Sequence, residues 1–119
     1  MNEILDSKNL GTQRGFDMRV ELYPDYDNSP EGEDWASAEQ VAAWRRDDWA
    51  YGVLVVTASV NGYDLGTTAL GGVVFGRLDE DTNLNPLEDA TYVDDLRDEA
   101  VQDAEVEAKS LIKRLREVA

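Results

Sequence analysis

The chain contains no histidine and no cysteine among its 119 residues. Without an imidazole it lacks the side chain that most often moves protons near neutral pH. Without a thiol it has no disulfide and no thiolate nucleophile, and zinc ligands of the usual kind are missing. The sequence therefore predicts a protein that is not an enzyme and that uses no cofactor or metal ion.

Long hydrophobic runs are also missing from the sequence. No stretch approaches the roughly 18 apolar residues that a membrane-spanning helix needs. The first six residues, Met1 to Asp6, carry acids where a secretory signal would carry bases. We therefore expect no membrane association and a cytoplasmic protein, in the host cell's cytoplasm if a phage encodes it.

Acidic side chains are present in large excess. Aspartate and glutamate number 26 against 11 lysines and arginines, which gives a formal net charge of −15. Such a field repels nucleic acid and anionic membranes and attracts basic protein surfaces. We expect a basic protein partner and no direct contact with nucleic acid. High charge also keeps a small protein soluble, so the acidity has a second explanation that needs no partner.

The length fits one domain, for which we take residues 16–119. Within residues 1–15, positions 11–15 contain two glycines and show no hydrophobic periodicity. We therefore predict that residues 1–15 are a flexible N-terminal lead-in. From Phe16 to Leu22 apolar and polar residues alternate, as in a strand with one buried and one solvent-exposed face. A short helix is predicted from Ser37 to Asp47, with a capping box between Ser37 and Gln40 and an apolar face of Ala38, Val41, Ala42 and Trp44.

The strongest local pattern is a β-hairpin. Residues 49–60 and 63–70 are separated by Asn61 and Gly62, a pair typical of a two-residue type I′ turn. This turn predicts the pairs Val60–Tyr63, Ala58–Leu65, Val56–Thr67 and Leu54–Ala69. The pair Gly71-Gly72 predicts a bulge, after which residues 73–75 resume the strand.

A long helix is predicted from Asp89 to Glu117. Its apolar stripe has helical spacing and consists of Val93, Leu96, Ala100, Ala104, Ala108, Leu111, Leu115 and Val118. Acids occupy its first half and bases its end, which suits the helix dipole. The element order β-α-β-β-α predicts an α+β fold: a small antiparallel-dominated sheet with the long C-terminal helix packed on one face.

The acidic half of this helix is the main candidate site for a partner. Carboxylates four residues apart repel one another, and the dipole compensates only those in the first turn. They recur about every 6 Å, which is similar to the spacing of phosphates along a nucleic acid strand. The acidic loop between the first strand and the short helix, bracketed by aromatics, is a second candidate. The candidate partner-binding residues are Asp94, Asp95, Asp98, Glu99 and Asp103 on the helix, and Asp25, Asp27, Glu31, Glu33 and Asp34 in the loop.

The hairpin and the helix resemble those of small acidic proteins from phages of actinobacteria. The resemblance rests on Trp49, Val53, Val55, Val56, Asn61-Gly62, Leu65-Gly66 and Leu70-Gly71-Gly72-Val73, together with the acidic-to-basic helix that follows. It implies a phage or mobile-element setting, and no catalytic residue carries over. Small acidic phage proteins with known roles are often inhibitors of host DNA-handling or defence enzymes, such as antirestriction proteins, anti-CRISPR proteins and uracil-glycosylase inhibitors.

Three functional hypotheses follow from the sequence. The first is a DNA mimic that inhibits a basic nucleic-acid-binding host or defence protein. The second is a structural or accessory protein of a phage or halophile whose acidity serves solubility only, with a homodimer through the sheet left open. The third is a cation-dependent enzyme that uses loop acids. The calcium-like run 79–85 argues against the third, because Leu84 and Ala90 stand where a calcium loop needs glycine and glutamate.

Overall fold

A computed structural model of the protein describes residues 3–118, which form one antiparallel sheet and two α-helices. The strands follow one another in the sheet in chain order, β1-β2-β3-β4-β5. This arrangement confirms the α+β class with a long helix packed on the sheet. The elements are β1 (Asp6–Gln13), β2 (Phe16–Pro24), α1 (Ala38–Arg45), β3 (Trp49–Val60), β4 (Tyr63–Arg77), β5 (Asn83–Leu84), a 3-10 turn (Pro86–Glu88) and α2 (Ala90–Val118).

Residues 6–15 belong to the sheet and do not form the lead-in that the sequence predicts. Strand β1 pairs with β2 from Asp6 opposite Leu22 to Gln13 opposite Phe16, with one bulge at Leu10. Arg14 and Gly15 both have positive φ, at 53° and 87°, as a two-residue type I′ turn requires. Most side chains of this edge strand are exposed, so it lacks the alternation of apolar and polar residues from which a strand is predicted. Met1 and Asn2 lie outside the described residues.

The hairpin of β3 and β4 has the predicted turn but a different register. Asn61 and Gly62 have φ of 51° and 80°, and Val60 lies opposite Tyr63 as expected. A bulge at Leu65 then shifts the partner strand by one residue, so the other three predicted pairs are wrong. The second bulge falls at Gly71-Gly72 as predicted, and β3 and β4 resume pairing after it. The observed pairs are Ala58–Gly66, Val56–Thr68, Leu54–Leu70 and Gly52–Val73.

Helix α2 covers one face of the sheet. From α2, the core contains Val93, Leu96, Ala100 and Ala104 of the predicted stripe, and also Val101. The opposing side chains come from β2, β3 and β4. The closest approach is at Gly66, where an added Cβ would lie 2.2 Å from the Ala100 carbonyl oxygen and 2.6 Å from the Ala104 nitrogen. The small residues on both sides thus allow the helix backbone to rest directly on β4.

The second face of the sheet is covered at one end only. There Trp49 and Tyr51 pack against Ala43 of α1, and the Trp49 indole N–H donates to the Gln40 carbonyl at 2.8 Å. The predicted capping box of Ser37 and Gln40 is present. Of the predicted apolar face of α1, Trp44 packs against this cluster and Val41 and Ala42 are half-buried. Ala38 is exposed, and the buried residue of the helix is Ala43, which the prediction left out. The remainder of this face, along β2 and β3, carries no helix.

Gly66→Ala should destabilise the protein, because the new methyl group overlaps backbone atoms of α2. These atoms cannot move aside as the end of a flexible side chain could. We expect a loss of about 1–3 kcal/mol in the free energy of unfolding, the usual range for overpacking. Urea denaturation followed by circular dichroism measures it. Gly71→Ala in the same strand is the control, because its Cβ would meet only the Asp25 carboxylate at 3.3 Å. Equal losses for the two variants would contradict the proposed close contact.

Candidate partner-binding surfaces

The acidic half of α2 is held in place by the packing of the helix on the sheet. Its first turn is capped by Asp89, whose carboxylate accepts the Thr91 backbone N–H at 2.9 Å. Ala100 and Ala104 are fully buried against the strands, so the helix cannot roll without breaking the core. All five predicted helix acids are exposed on the other side. The fold therefore presents Asp94, Asp95, Asp98, Glu99 and Asp103 to solvent on one ordered element.

These five carboxylates have no cationic partner within residues 3–118. The ion pairs of that part of the chain engage other acids, as in Lys8–Glu88 at 2.9 Å and Arg14–Glu105 at 3.1 Å. Between Ala90 and Glu105 only Arg97 is basic, and its guanidinium donates to the Gln13 side-chain oxygen at 2.9 Å. The local negative charge of the helix is thus left uncompensated by the fold.

The helix acids form two rows, because successive residues turn by about 100° around the axis. Asp94 and Asp98 lie toward the β1–β2 turn, where the Gln13 amide donates to Asp98 at 3.1 Å. Asp95, Glu99 and Asp103 follow one another at intervals of four residues on the opposite flank. Each step of four residues advances about 6 Å along the axis. The rows together form a negatively charged ridge, which we call the acidic helix face.

The acidic loop is partly structural. The Asp25 carboxylate accepts three hydrogen bonds, from the Gly72 and Asp27 backbone N–H groups at 2.8 and 3.0 Å and from the Asn28 amide at 2.8 Å. Partial burial of the group acts to raise its pKa, but these donors outweigh the burial and lower the pKa of Asp25 below its ordinary value. Asp25 thereby ties the loop to the bulge of β4.

The other loop acids divide into one paired residue and three free ones. Glu31 accepts from the Arg45 guanidinium of α1 at 2.9 Å. Asp27, Glu33 and Asp34 are exposed, and none of them has an ion pair among residues 3–118. The loop therefore offers fewer free carboxylates than its composition suggests.

The structure separates the two groups of predicted site residues. Gln13, which contacts the acidic helix face, pairs with Phe16 at the start of β2, and the acidic loop follows Pro24 at its end. The nine residues of β2 span about 30 Å. Helix α2 lies on one face of the sheet, whereas Asp25 and Asp27 line a groove on the other face, so the helix acids and the loop acids form two surfaces.

A groove on the uncovered face of the sheet accompanies the acidic loop. Its volume is about 720 Å³. Val53, Val55 and Ala69 line it, together with Tyr23 and Tyr26, and Tyr26 is 84% exposed. The Asp25 and Asp27 side chains also line this groove. Aromatic rings, aliphatic side chains and carboxylates together suit the stem and charged head of a lysine or arginine. The aromatic residues beside the acidic loop indicated a binding surface in the sequence. The groove itself could not be predicted, because its other walls come from β3 and β4.

Farther along the same face the charges compensate one another. The Arg19 guanidinium donates to both carboxylate oxygens of Asp64, at 3.1 and 3.0 Å, and lies 3.5 Å from Glu21. The hydrogen bonds from Arg19 lower the pKa of Asp64, and the partner carboxylate raises that of Arg19. Both carboxylates of this cluster are held by Arg19. The groove and the acidic helix face therefore remain as the candidate surfaces.

Comparisons with known proteins identified no relative of this chain. No protein family matches the chain, and neither the curated proteins nor the solved structures contain a match. Over residues 3–118, no helix is long and apolar enough to cross a membrane, and no three acidic side chains converge as metal ligands.

Asp25→Ala should destabilise the protein above about pH 5 by roughly 1 kcal/mol or more, because three donors lose an ionised acceptor that is only partly buried. Since the folded pKa lies below the unfolded one, this contribution is fully present above the unfolded value, near 4. It disappears as pH falls through the folded pKa. Urea unfolding between pH 2 and pH 7 measures the difference, with Asp27→Ala as control. A gap between wild type and Asp25→Ala that widens toward low pH would contradict this assignment.

Proposed function

We propose that this protein binds a basic, nucleic-acid-binding protein and inhibits it by occupying the surface that would hold nucleic acid. The observation that supports the proposal is the acidic helix face: five exposed carboxylates on one helix that have no ion pair with any basic residue described between positions 3 and 118. Like charges four residues apart destabilise a helix slightly, so helix stability gives no reason for these acids, whereas a basic partner does.

The rigidity of the helix favours this function. Binding costs less when the contacting groups are already ordered, and α2 is anchored by the buried Ala100 and Ala104. Carboxylates at steps of about 6 Å give a lysine- and arginine-lined channel a pattern of charge close to that of a phosphate backbone. Electrostatic attraction between such surfaces speeds association and weakens with salt.

The proposed partner is a host DNA-handling or defence protein in the cytoplasm of the infected cell. This is the class that small acidic phage proteins inhibit, and its nucleic-acid surface supplies the required positive charge. The proposal assigns no catalytic residue and no cofactor to the protein. The acidic groove beside Tyr26 is a second surface that fits cationic side chains, and the experiment below separates it from the helix.

The decisive variant is Asp95→Asn/Glu99→Gln/Asp103→Asn, which removes three charges without changing side-chain shape. Immobilised wild-type protein should retain basic DNA-binding proteins from bacterial lysate at low salt, and added duplex DNA should release them. The triple variant should retain at least about tenfold less, since each lost charge contact contributes a fraction of the binding energy. Mass spectrometry identifies the retained proteins, and circular dichroism checks that the variant is folded.

A control of equal charge change is Asp47→Asn/Glu80→Gln/Asp81→Asn, which lies outside both candidate surfaces. It should bind as wild type does. A second comparison, Tyr26→Ala/Asp27→Asn, tests the groove. If both triple variants lose binding equally, the acidity acts only through net charge. If only the groove variant loses it, the helix is not the binding surface.

A further inference from the structure

Strand β4 leaves one edge of the sheet open along its middle. Strand β5 pairs with only the last two residues of β4, and no other strand described between positions 3 and 118 lies along the outer side of β4. Bulges at Leu65 and at Gly71-Gly72 bound a regular stretch between them. We call this stretch, Gly66–Leu70, the open edge. Its outer backbone groups are available to pair with a further strand.

The hairpin determines which backbone groups of the open edge point outward. In a two-residue hairpin the flanking pair, here Val60 and Tyr63, exchanges both backbone hydrogen bonds, and bonded pairs then alternate with non-bonded ones. Because the bulge at Leu65 adds one residue, Thr67 and Ala69 fall in the non-bonded pairs. The N–H and C=O groups of Thr67 and Ala69 therefore face away from β3, and both residues are exposed.

Charged side chains, which protect many edge strands from pairing with other chains, are missing from the open edge. No charged residue occurs between Asp64 and Arg77, although 31% of the chain is charged. The opposite edge of the sheet, β1, carries Asp6 and Lys8 and has a bulge at Leu10. Such charges and bulges prevent strand pairing at the edges of natural sheets. The open edge has neither, so its sequence permits the addition of a strand.

The two flanks of α2 lie over different strands. The flank that carries Asp98 and Glu105 contacts the β1–β2 turn. Tyr92 is on the opposite flank, where it lines a pocket together with Gly72 of β4. The flank of Tyr92 therefore lies over the outer side of β4.

Two carboxylates of α2 flank the open edge on this side. Glu99 and Asp103 are on the same flank as Tyr92, about two and three helical turns farther along. In those turns Ala100 approaches Gly66, which places both carboxylates beside the open edge. Neither Glu99 nor Asp103 has an ion pair among residues 3–118. The helix side of the open edge is thus negatively charged and unpaired.

The other face of the open edge borders the groove of the acidic loop. The Ala69 side chain lines this groove together with Asp25 and Asp27. Tyr26 lines it as well and offers an exposed aromatic ring to a cation. The side chains of a strand point alternately to the two faces of a sheet. A segment paired with the open edge therefore has carboxylates within reach on both of its faces, which suits lysine and arginine.

A second copy of this chain does not suit the open edge. Two copies paired as antiparallel strands about a two-fold axis would have their α2 helices on the same face of the joined sheet. Glu99 and Asp103 of one copy would then face those of the other, and like charges repel. The same carboxylates repel nucleic acid and anionic membranes. The charges beside the edge therefore favour a basic polypeptide.

We infer that the open edge accepts an extended segment of the partner protein, rich in lysine and arginine, as an additional strand of the sheet. Main-chain hydrogen bonds to Thr67 and Ala69 hold the segment, and its basic side chains contact Glu99 and Asp103 on one face and Asp27 on the other. The basic arms of nucleic-acid-binding proteins have this chemistry. The inference rests on the proposed function, because it specifies which part of the basic partner is bound and how.

A synthetic peptide tests the main-chain pairing. The probe repeats two lysines and two threonines, so that an extended chain carries lysine on both faces. The control is the same peptide with N-methyl groups on its central backbone nitrogens, which keeps every charge and removes the donors. The unmodified peptide should bind the full chain at least about tenfold more tightly than the methylated one, because hydrogen bonds to the edge are lost. It should also slow hydrogen exchange at the Thr67 and Ala69 amides, measured by nuclear magnetic resonance.

A pair of protein variants with equal charge change tests the location. Thr67→Lys puts a positive charge at the open edge and should weaken binding of the unmodified peptide at least about tenfold. Thr12→Lys makes the same substitution on β1, the other edge of the sheet, and should bind as wild type does. Both threonines are exposed, so both variants should fold, which circular dichroism checks.

The outcomes separate this inference from the proposed function. Equal binding of the two peptides, unchanged exchange at Thr67 and Ala69, or no peptide binding at all would overturn strand addition. The proposed function would still stand if lysate proteins were retained through Asp95, Glu99 and Asp103. Conversely, a peptide that protects Thr67 and Ala69, together with a lysate from which nothing basic is retained, would support the edge site and contradict the proposed function.

Discussion

The contact between α2 and β4 at Gly66 is the constraint on which the other features depend. An added Cβ there would lie 2.2 Å from the Ala100 carbonyl oxygen, so the helix backbone rests on the strand with no side chain between them. This contact buries Ala100 and Ala104 and fixes the rotation of the helix. Fixed rotation directs the carboxylates outward, and the continuation of the same helix leaves the end of its apolar stripe, Leu115 and Val118, exposed.

Helix α2 consequently has two chemically different halves. Its first half lies on the body and exposes acids that the fold leaves unpaired, while the basic residues Lys8 and Arg14 neutralise other acids nearby. Its second half leaves the body and exposes apolar residues among bases. The first half suits a basic partner protein.

Much of the fold could be predicted from the sequence, because its signals are local. The turn at Asn61-Gly62, the capping box of Ser37 and the period of α2 each arise from neighbouring residues. The features that sequence reasoning missed depend on residues far apart in the chain. Strand β1 is polar and exposed, so only its pairing with β2 defines it. The bulge at Leu65 places Gly66 against α2. The bulge could not be predicted from residues 60–70, because the helix that Gly66 contacts lies more than 30 residues farther along the chain. For the same reason the sequence named the acidic residues of both surfaces but could not show that the two surfaces lie on opposite faces of the sheet.

The most direct measurement is a nuclear magnetic resonance titration of isotope-labelled protein with an arginine-rich peptide at low and at high salt. We predict that the largest chemical-shift changes fall on the backbone amides of residues 94–103, saturate at low salt and vanish at high salt. Shifts confined to residues 25–34 and the groove, or spread evenly over the acidic surface, would contradict the assignment of α2 as an ordered stand-in for a polyanion.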